Sequence, residues 1–542
     1  MAGQLDLDKR RQLWYTGRMI ISGLLNRLGP RRWFALARRI RPEAEFLVTG
    51  EQRLTRREVF ANVEALAAGL QALGFGPGDR LATLLPASPE ALYALFLPWV
   101  LGTWEVPLNP LLREHELRHI LADSGASAVL TTRRWYGYDH PATLARLMPH
   151  LPDLRAVIVQ GDAAPTRAEQ GAMFTLDEVL TAGRTLRPVQ VAADQIGRIT
   201  YTSGTTGQPK GVVHTWARYW NLAQPRAFLW LDPRVFRSVL FLFPLCYYHG
   251  LLTVVATLLA GGKLLLMDRF NPRRALDIIE RERATMLVAS PTMARLLLRV
   301  PGQEGRDLSS VRLIFVGTEI CPPDLAQALH ERFRCPLKNM YGSNETGYAT
   351  WTGWRDSWQQ AATTVGRPAP GARVRIVDDE RRPLPRGQVG EVAVRTSQMM
   401  SGYHGDPALT AQALDAEGWF YTGDLGVLDD DGYLRLMGRK DDVIVRGGFK
   451  IYPDEVEHYL EQHPLIRRAG VVGRPGGDGE AVWAFVELAP GATLTAAQVR
   501  EFCLGQIAPY KIPEQVRFVE RLPTTVSGKV QRFKLREMVD GE

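Results

Sequence analysis

The sequence has few cysteines. Its 542 residues contain four, and none forms a C-x-x-C pair. Such sparse, scattered thiols exclude a disulfide framework and a zinc site built on paired cysteines. They favour a reducing compartment. The four are Cys246, Cys321, Cys335 and Cys503.

Long apolar runs are also missing. The two longest, 91–102 and 251–267, are interrupted by Pro98 and by Gly261-Gly262-Lys263. Neither reaches the roughly 18 residues of a membrane span. The run at 19–25 is short and soon followed by charge, so no secretory signal is predicted. We therefore expect a cytoplasmic protein, and 542 residues predict at least two domains.

The segment 9–41 lacks acidic residues but contains ten lysines and arginines, interleaved with tryptophans and aliphatic residues. A basic amphipathic segment of this kind suits an anionic membrane surface. The alternative is a helix packed on its own domain with a solvated basic face. No motif of a nucleic-acid-binding module is present, so no nucleic-acid partner is expected. We treat residues 1–42 as a basic amphipathic extension.

Strand-like and helix-like patterns alternate through most of the chain, which predicts an α/β fold with largely parallel sheets. From about Gly366, short β-type segments separated by turns predict a β-rich subdomain. A mixed α+β pattern follows Gly438. The charged turn Gly438–Asp442 is the best boundary, giving a large domain over 1–437 and a small one over 438–542.

The stretch YTSGTTGQPKGV, residues 201–212, combines glycines, hydroxyls and one lysine between two apolar segments. A surface turn or a flexible linker would be flanked by more polar sequence. Glycines allow a backbone turn whose N–H groups bind anions, and Lys210 adds a positive charge. The spacing does not match G-x-x-x-x-G-K-[ST], so the sequence predicts a phosphate loop of another design.

Three further stretches carry residues that suit nucleotide chemistry. NMYGSNETG (339–347) places Glu345 in a tight turn, where it could hold Mg²⁺. YTGDLG (421–426) places Asp424 between glycines, where it could accept ribose hydroxyls. TTVSGKVQR (524–532) places Lys529 after a Ser-Gly turn. Taken singly, a solvated glutamate, an Asx-turn and a solvated lysine explain each stretch equally well.

In this order, the motifs resemble those of the adenylate-forming superfamily of acyl-CoA synthetases, adenylation domains and beetle luciferases. The resemblance covers residues 45–536 and includes VGRPAPG, GEVAVR, GRKDDVIVRGGFKIYPDEVE and LPTTVSGK. It implies that residues 438–542 form a mobile lid over the large domain. It also implies two steps: ATP and a carboxylic acid give an acyl-adenylate and pyrophosphate, and a thiol, with coenzyme A as first choice, then takes the acyl group.

The same resemblance implies residue roles. Lys529 acts in the first step, Glu345 holds Mg²⁺, and Asp424 with Arg439 holds the ribose. Asp441 is the hinge, and Arg269 resembles a position that meets CoA phosphates. The remaining implied contacts are Thr202, Ser203, Gly204, Thr205, Thr206, Gly207 and Lys210 for the phosphates; Tyr341, Gly342, Asn344, Gly317, Thr318 and Glu319 for the adenine end; and Gly447 and Gly448 for the pantetheine arm.

The chain departs from the family pattern at several positions. Tyr247 stands where a histidine is usual, with His249 two residues later, and Asn344 stands where threonine is usual. Val316-Gly-Thr-Glu319 replaces S-G-G-A, and Trp216 also replaces a frequent histidine. Either His249 lines the acyl pocket, or a tyrosine, Tyr247, replaces the family's aromatic gate. A buried aromatic helix start explains the stretch equally well.

The expected acyl pocket is uncharged, which argues against amino acids and for fatty or aromatic acids. Its expected residues are Tyr247, Tyr248, His249, Phe315, Gly317, Gly342 and Thr346. Two alternatives stay open: an enzyme that loads a carrier protein, and a non-catalytic acyl or nucleotide sensor. The joint presence of Lys529, Asp424, Glu345 and Lys210 argues against the sensor.

Overall fold

The computed structural model describes most of the chain from residue 34 onward. No helix in the described part is both long and apolar enough to cross a bilayer. The described residues are 34–161, 172–183, 185–192, 194–203, 209–215, 218, 233–317, 321–446, 449–476, 479–504, 506–507, 509–524 and 528–540.

Strands and helices alternate in the first part of the chain, as the sequence predicts. Helix starts coincide with local capping signals: Thr55 and Thr175 each cap a helix and exchange hydrogen bonds with the glutamate three residues later. The strands are β1 (Glu45–Thr49), β2 (Gln52–Thr55), β3 (Arg80–Leu84), β4 (Trp104–Pro107), β5 (Ala128–Thr132), β6 (Arg134–Trp135), β7 (Tyr138–Asp139), β8 (Ala156–Gln160), β9 (Ala172–Thr175) and β10 (Ile196–Ser203). The helices are α1 (Arg56–Ala72), α2 (Pro89–Leu101), α3 (Glu114–Ser124), α4 (His140–Leu147) and α5 (Leu176–Ala182).

The middle of the chain continues the alternation. The apolar run 251–267 is a helix, a turn and a strand, because Gly261 adopts a left-handed φ of 78° that ends the helix. The strands are β11 (Pro209–Thr215), β12 (Ser238–Phe241), β13 (Lys263–Leu266), β14 (Met286–Ala289), β15 (Leu313–Val316), β16 (Leu337–Ser343), β17 (Gly347–Trp351), β18 (Arg367–Pro368) and β19 (Ala372–Val377). The helices are α6 (Tyr248–Ala260), α7 (Pro272–Glu282), α8 (Pro291–Leu298), α9 (Pro323–Phe333) and α10 (Trp358–Thr363).

The last part of the chain is richer in antiparallel strands. A short 3₁₀ turn, Lys440–Asp442, separates two of its sheets. The strands are β20 (Gly390–Thr396), β21 (Gly402–Tyr403), β22 (Phe420–Leu428), β23 (Leu434–Arg439), β24 (Ile444–Arg446), β25 (Phe449–Ile451), β26 (Ile466–Gly476), β27 (Gly479–Leu488) and β28 (Gln515–Phe518). The helices are α11 (Pro407–Ala413), α12 (Pro453–Leu460), α13 (Ala496–Cys503) and α14 (Arg532–Asp540).

Two large sheets form the framework. One has the order β21-β11-β10-β4-β3-β5-β8-β9, and the other β18-β17-β16-β15-β14-β12-β13-β1-β2. Their central strands are parallel, antiparallel strands complete three of the four edges, and the parallel strand β9 forms the fourth. Buried side chains from both sheets and from α1, α2 and α6 form one continuous apolar cluster. The predicted α/β class with parallel sheets is therefore confirmed.

Two smaller sheets follow. The antiparallel order β19-β20-β22-β23 forms the predicted β-rich part and ends at Arg439. A separate sheet begins at Ile444 and pairs β24, β25, β26, β27 and β28. It encloses its own apolar cluster together with α12 and α13.

A buried ion pair joins two neighbouring strands of one large sheet, and its arginine also reaches the loop that follows a strand of the other. Arg198 on β10 donates to Glu105 on β4 at 3.0 Å, and both side chains are almost completely buried. The same guanidinium donates to Thr200 at 2.9 Å and to the carbonyl of Cys246 at 2.6 Å. Cys246 lies in the loop between β12 and α6. Arg198 thus fixes the start of α6 to the neighbouring sheet.

Removing the carboxylate from this pair should be costly. We expect Glu105→Ala to lower the free energy of unfolding by about 3–5 kcal/mol, because the Arg198 charge stays buried without its partner. Glu114→Ala is the control: Glu114 pairs with Arg146 at 2.6 Å, but both side chains are about half exposed. That variant should lose only about 0–1 kcal/mol. Urea unfolding measures the free energy of unfolding of both variants. Equal losses would contradict the conclusion that the buried pair is the more important one.

Candidate active site

The predicted phosphate loop lies at the end of a β-hairpin. Strands β10 and β11 are antiparallel, with Thr202 opposite Lys210 and Ser203 opposite Pro209. The predicted residues Gly204, Thr205, Thr206 and Gly207 lie outside the described part of the chain. The hairpin register places the half-buried Lys210 beside the last residues before the loop. Lys210 therefore lies next to the loop that the sequence predicts to bind phosphate.

Three side chains that were predicted from separate motifs are in hydrogen-bond contact around Asp424. The Tyr341 hydroxyl donates to Asp424 Oδ2 at 2.6 Å, and Arg439 donates to Asp424 Oδ1 at 2.9 Å. Asp424 and Arg439 are direct partners across β22 and β23. The guanidinium is anchored further by the carbonyl of Thr422 at 2.9 Å. We call these three residues the Asp424 cluster.

The electrostatics of the Asp424 cluster favour a protonated Tyr341 hydroxyl and a charged Arg439 guanidinium. Burial and the adjacent Asp424 carboxylate raise the pKa of Tyr341 well above its usual range. Burial opposes the charge on Arg439, but Asp424 outweighs it and raises the pKa of the guanidinium. A carboxylate has about four acceptor sites, and Tyr341 and Arg439 occupy two of them among the described residues. Asp424 therefore retains capacity for the hydroxyls of a ribose.

A tight turn connects β16 to β17 and contains Glu345. Ser343 Oγ accepts from the backbone N–H groups of Glu345 and Thr346, at 3.2 and 3.3 Å. A side chain at Gly342 would lie 2.0 Å from the carbonyl of Gly347, so only glycine fits there. Asn344 lies half-buried in the same turn. These bonds fix the direction in which Glu345 leaves the backbone.

The side chain of Thr346 stabilises the same turn. Its side chain is buried, accepts from the N–H of Ser343 at 3.1 Å and donates to the carbonyl of Gly347 at 3.0 Å. The hydroxyl is thus engaged with backbone on both sides. These bonds show that Thr346 stabilises the turn. A direct contact of Thr346 with the acyl group remains a prediction.

Glu345 is the candidate ligand for Mg²⁺. The Tyr403 hydroxyl lies 3.4 Å from its Oε1. Within the described residues, no group of three or more histidine, cysteine, aspartate or glutamate side chains could hold a metal by itself. Mg²⁺ is ordinarily held by one or two carboxylates together with phosphate oxygens and water. A single oriented carboxylate therefore fits a magnesium ion that arrives with a nucleotide.

An aromatic wall is formed at the start of α6. Tyr247 and His249 stack at 5.9 Å between ring centroids, with 7° between planes, and the Tyr247 hydroxyl accepts from Asn109 at 2.9 Å. His249 also meets Phe243 edge-on at 4.7 Å. Burial lowers the pKa of His249 to about 4, so the imidazole is neutral at ordinary pH. The Tyr248 hydroxyl donates to Gln398 at 2.8 Å.

Other predicted contacts are placed as follows. Gly317 is buried at the end of β15, where an added side chain would meet Met340 at 3.5 Å. Thr318 and Glu319 lie outside the described residues. Arg269 lies between two aromatic rings, 4.6 Å from Trp135 and 4.7 Å from Tyr136. A contact of Arg269 with CoA stays a prediction.

The turn Lys440–Asp442 lies between two ion-pair clusters. Lys440 pairs with Asp379 at 2.9 Å and with Glu391 at 3.1 Å, on the side of the β-rich part. On the other side, Asp442 pairs with Arg532 at 3.0 Å and with Arg536 at 2.8 Å. Asp441 between them is exposed.

Lys529 lies close to the second of these clusters in sequence. It is exposed, next to the bridge between Thr524 and Val530. Three residues later, Arg532 binds Glu457 at 2.6 Å as well as Asp442. Gly447 and Gly448 lie outside the described residues, and Arg446 and Phe449 on either side of them are paired.

Several residues of this region were not identified from the sequence. Asn109, Gln398 and Tyr403 supply hydrogen bonds to Tyr247, Tyr248 and Glu345 from far along the chain. Each occurs as an ordinary polar residue in a short loop or strand. No local pattern distinguishes them, because their partners are set by tertiary contacts.

Comparison with known proteins agrees with this geometry. Residues 34–404 match the family described as AMP-binding enzyme, and residues 455–529 match the AMP-binding enzyme C-terminal domain. The chain is 33% identical over 507 residues to feruloyl-CoA synthase of Amycolatopsis sp, covering 93% of this chain and 98% of that protein. It is 31% identical over 530 residues to mitochondrial medium-chain acyl-CoA ligase ACSF2 of Rattus norvegicus, covering 92% and 85%.

Solved structures give the same result. The anthranilate CoA ligase AuaEII in complex with anthranoyl-AMP superposes with a TM-score of 0.83 at 27% identity, covering 94% of this chain and 97% of that one. ATP-bound MatB from Rhodopseudomonas palustris gives 0.82 at 28% identity, covering 93% and 98%. The fold and the motif order thus agree over nearly the whole chain, and the protein belongs to the AMP-binding enzymes of the adenylate-forming superfamily.

Proposed function

We propose that the protein is an AMP-forming acid–thiol ligase that activates a carboxylic acid with ATP and transfers the acyl group to coenzyme A. The Asp424 cluster is the observation that carries this proposal. It brings residues from three sequence motifs into hydrogen-bond contact, in an arrangement suited to a ribose. The β10–β11 hairpin, which flanks the predicted phosphate loop, and the turn that contains Glu345 both lie in the proposed large domain over 1–437.

The first step must bring two anions together, the substrate carboxylate and the α-phosphate of ATP. Cations and oriented backbone dipoles stabilise the charge that develops between them. Lys210 on the hairpin and Lys529 supply protein cations. Glu345 would hold Mg²⁺, which when bound offsets phosphate charge. Tyr341 would stack on adenine while its hydroxyl remains bonded to Asp424.

The second step requires a different arrangement of residues 438–542, which we propose act as a lid. Asp441 is the proposed hinge because its neighbours are held on opposite sides. Lys440 is paired within the large domain, and Asp442 is paired with two arginines of α14. Rotation at Asp441 breaks neither set of contacts. We propose that Gly447 and Gly448 then admit the pantetheine arm.

We propose a fatty or aromatic acid as the substrate. The aromatic wall of Tyr247, His249 and Phe243 is uncharged, and burial keeps His249 neutral. An amino-acid substrate would need a carboxylate to bind its ammonium group. Medium-chain acyl-CoA ligase and feruloyl-CoA synthase, both similar to this chain, are named for uncharged acyl groups of these two kinds.

The proposal is tested by acid-dependent release of pyrophosphate. ATP, Mg²⁺ and a panel of fatty, aromatic and amino acids are supplied, each with and without coenzyme A. We expect release with a fatty or aromatic acid, accelerated by coenzyme A. Pyrophosphate release at the same rate with and without coenzyme A would instead indicate a carrier protein as acceptor. Binding of acid or nucleotide with no turnover on any acid would favour a non-catalytic sensor.

Asp424 should determine the affinity for ATP. We expect Asp424→Asn to raise the KM for ATP about 10- to 100-fold, because hydrogen bonds to a charged group contribute roughly 1.5–3 kcal/mol. Asp415→Asn is a matched control on the same β-rich part. Asp415 also accepts a tyrosine hydroxyl, that of Tyr421 at 2.8 Å, and lies 3.9 Å from Arg375. Equal effects of both changes on the KM would contradict a ribose contact.

Lys529 should act in the first step alone. We expect Lys529→Ala to slow adenylate formation at least about 100-fold, as loss of a transition-state contact does. Thioester formation from pre-made acyl-adenylate should remain nearly normal. Lys534→Ala, which removes an exposed lysine on α14, is the control. Equal loss in the two half-reactions would overturn the assigned role.

The hinge is tested by comparing two changes at one position. Asp441→Pro fixes one backbone torsion angle, whereas Asp441→Ala removes only the exposed carboxylate. We expect the proline variant to retain adenylate formation and to lose most thioester formation. The alanine variant should retain both half-reactions. Normal overall turnover in the proline variant would argue against rotation at this residue.

A further inference from the structure

A basic cleft of about 460 Å³ lies away from the site described above. It is situated where β1, β12 and β13 begin, and Arg41, Arg234, Arg237 and Lys263 contribute to its lining. These three strands are parallel to β14, β15 and β16. Gly317 and Tyr341 lie at the carboxyl ends of β15 and β16. The cleft is therefore at the opposite edge of this sheet from the proposed adenylate site.

The charges in the cleft are unbalanced. Glu45 is the acid in its lining, and it pairs with Arg53 at 3.0 Å and with Lys263 at 3.1 Å. Lys263 is further paired with Glu282 at 2.6 Å. In the described part of the chain, no carboxylate forms an ion pair with Arg41 or Arg237. Two guanidinium groups thus remain available to an anion.

The wall that carries Arg41 is held in place by a buried cation. Arg56 is 1% exposed and donates to the carbonyls of Ile40, at 3.1 Å, and Leu258, at 2.7 Å. These bonds fasten the segment before β1 to the end of α6. Arg41 itself has a φ of 51°, which is uncommon for a residue other than glycine. A side chain at Gly261 would lie 3.2 Å from its guanidinium, so the glycine leaves room for it.

Apolar side chains are exposed beside this wall. Phe34 and Ala37 are buried against the domain, whereas Leu36 and Ile40 are 41% and 46% exposed. They alternate with Arg39 and Arg41, which are also exposed. Exposed aliphatic groups next to cations are typical of proteins that lie on a membrane surface. A soluble phosphate would use the cations but would leave the aliphatic groups without a partner.

We propose that this face of the protein docks on an anionic phospholipid surface. A headgroup phosphate enters the cleft between Arg41 and Arg237, and Leu36 and Ile40 enter the interfacial layer. The basic, apolar composition of residues 9–33 extends the same character along the chain, although those residues lie outside the described part. Docking on this edge leaves the opposite edge of the sheet, with the adenylate site, accessible from water.

The test is co-sedimentation of the full chain with vesicles of phosphatidylcholine, with and without phosphatidylglycerol. We expect binding only when phosphatidylglycerol is present. The double variant Arg41→Gln with Arg237→Gln should weaken binding about 30-fold, since each cation near an anionic surface contributes roughly 1 kcal/mol. Leu36→Asn with Ile40→Asn should leave weaker binding that is more easily removed by salt.

A matched double variant controls for net charge. Arg373→Gln with Arg395→Gln removes two exposed arginines that face each other across β19 and β20. It should bind vesicles like the unaltered protein, and acid-dependent pyrophosphate release without vesicles should be normal in all variants. Equal weakening by both arginine pairs, or none by the cleft pair, would overturn the proposal. Saturable binding of inorganic phosphate without vesicle binding would overturn it too, in favour of a soluble anion.

Discussion

The pairing of Asp424 with Arg439 is the contact on which the proposed catalytic cycle depends. It joins two adjacent strands of the β-rich part and orients the carboxylate that we propose binds the ribose. Arg439 is also the last residue of β23, and the hinge turn begins at the next residue. Arg439 therefore orients the proposed ribose-binding carboxylate and also lies directly before the turn that holds the proposed hinge. A nucleotide bound at Asp424 would therefore contact a residue whose partner, Arg439, leads directly into the proposed lid.

The ion pairs on either side of the proposed hinge leave Asp441 as the residue at which rotation would disturb neither set of pairs. Lys440 and Asp442 each have two partners of opposite charge, and the two sets belong to different parts of the chain. Arg532 continues the second set toward Lys529, three residues before it. Its side chain is largely buried and bonds Asp442 and Glu457 together. Arg532 thus connects the residue after the proposed hinge to the segment that contains the proposed catalytic lysine.

Much of the fold and part of the site were predictable from the sequence. Strand and helix alternation follows from apolar periodicity, and glycine, proline and capping residues determine many of the boundaries. The Asp424 cluster was foreseen because each member belongs to a motif that resembles a known family. Its internal bonding was not foreseen, because the Tyr341–Asp424 contact joins residues 83 positions apart.

Other features depend on contacts that leave no local pattern. Asn109 reaches Tyr247 across 138 positions, and Gln398 reaches Tyr248 across 150. The backbone bonds of Thr346 within its own turn were likewise not foreseen from the sequence. Its small polar side chain suits a pocket wall and a turn equally well, and its contact with an acyl group remains a prediction.

The aromatic wall at the start of α6 is positioned by a buried charge as well as by packing. Arg198 is held by Glu105 and Thr200, and it donates to the carbonyl of Cys246, the residue before Tyr247. Arg198 also belongs to β10, the strand that leads into the phosphate hairpin. The buried guanidinium of Arg198 therefore connects the strand before the predicted phosphate loop to the turn that begins the aromatic wall. Because a buried charge that loses its partners is strongly destabilising, this contact opposes movement of the turn away from β10. If the wall contacts the acyl group as proposed, substrate choice can vary through its aromatic side chains while this connection is kept.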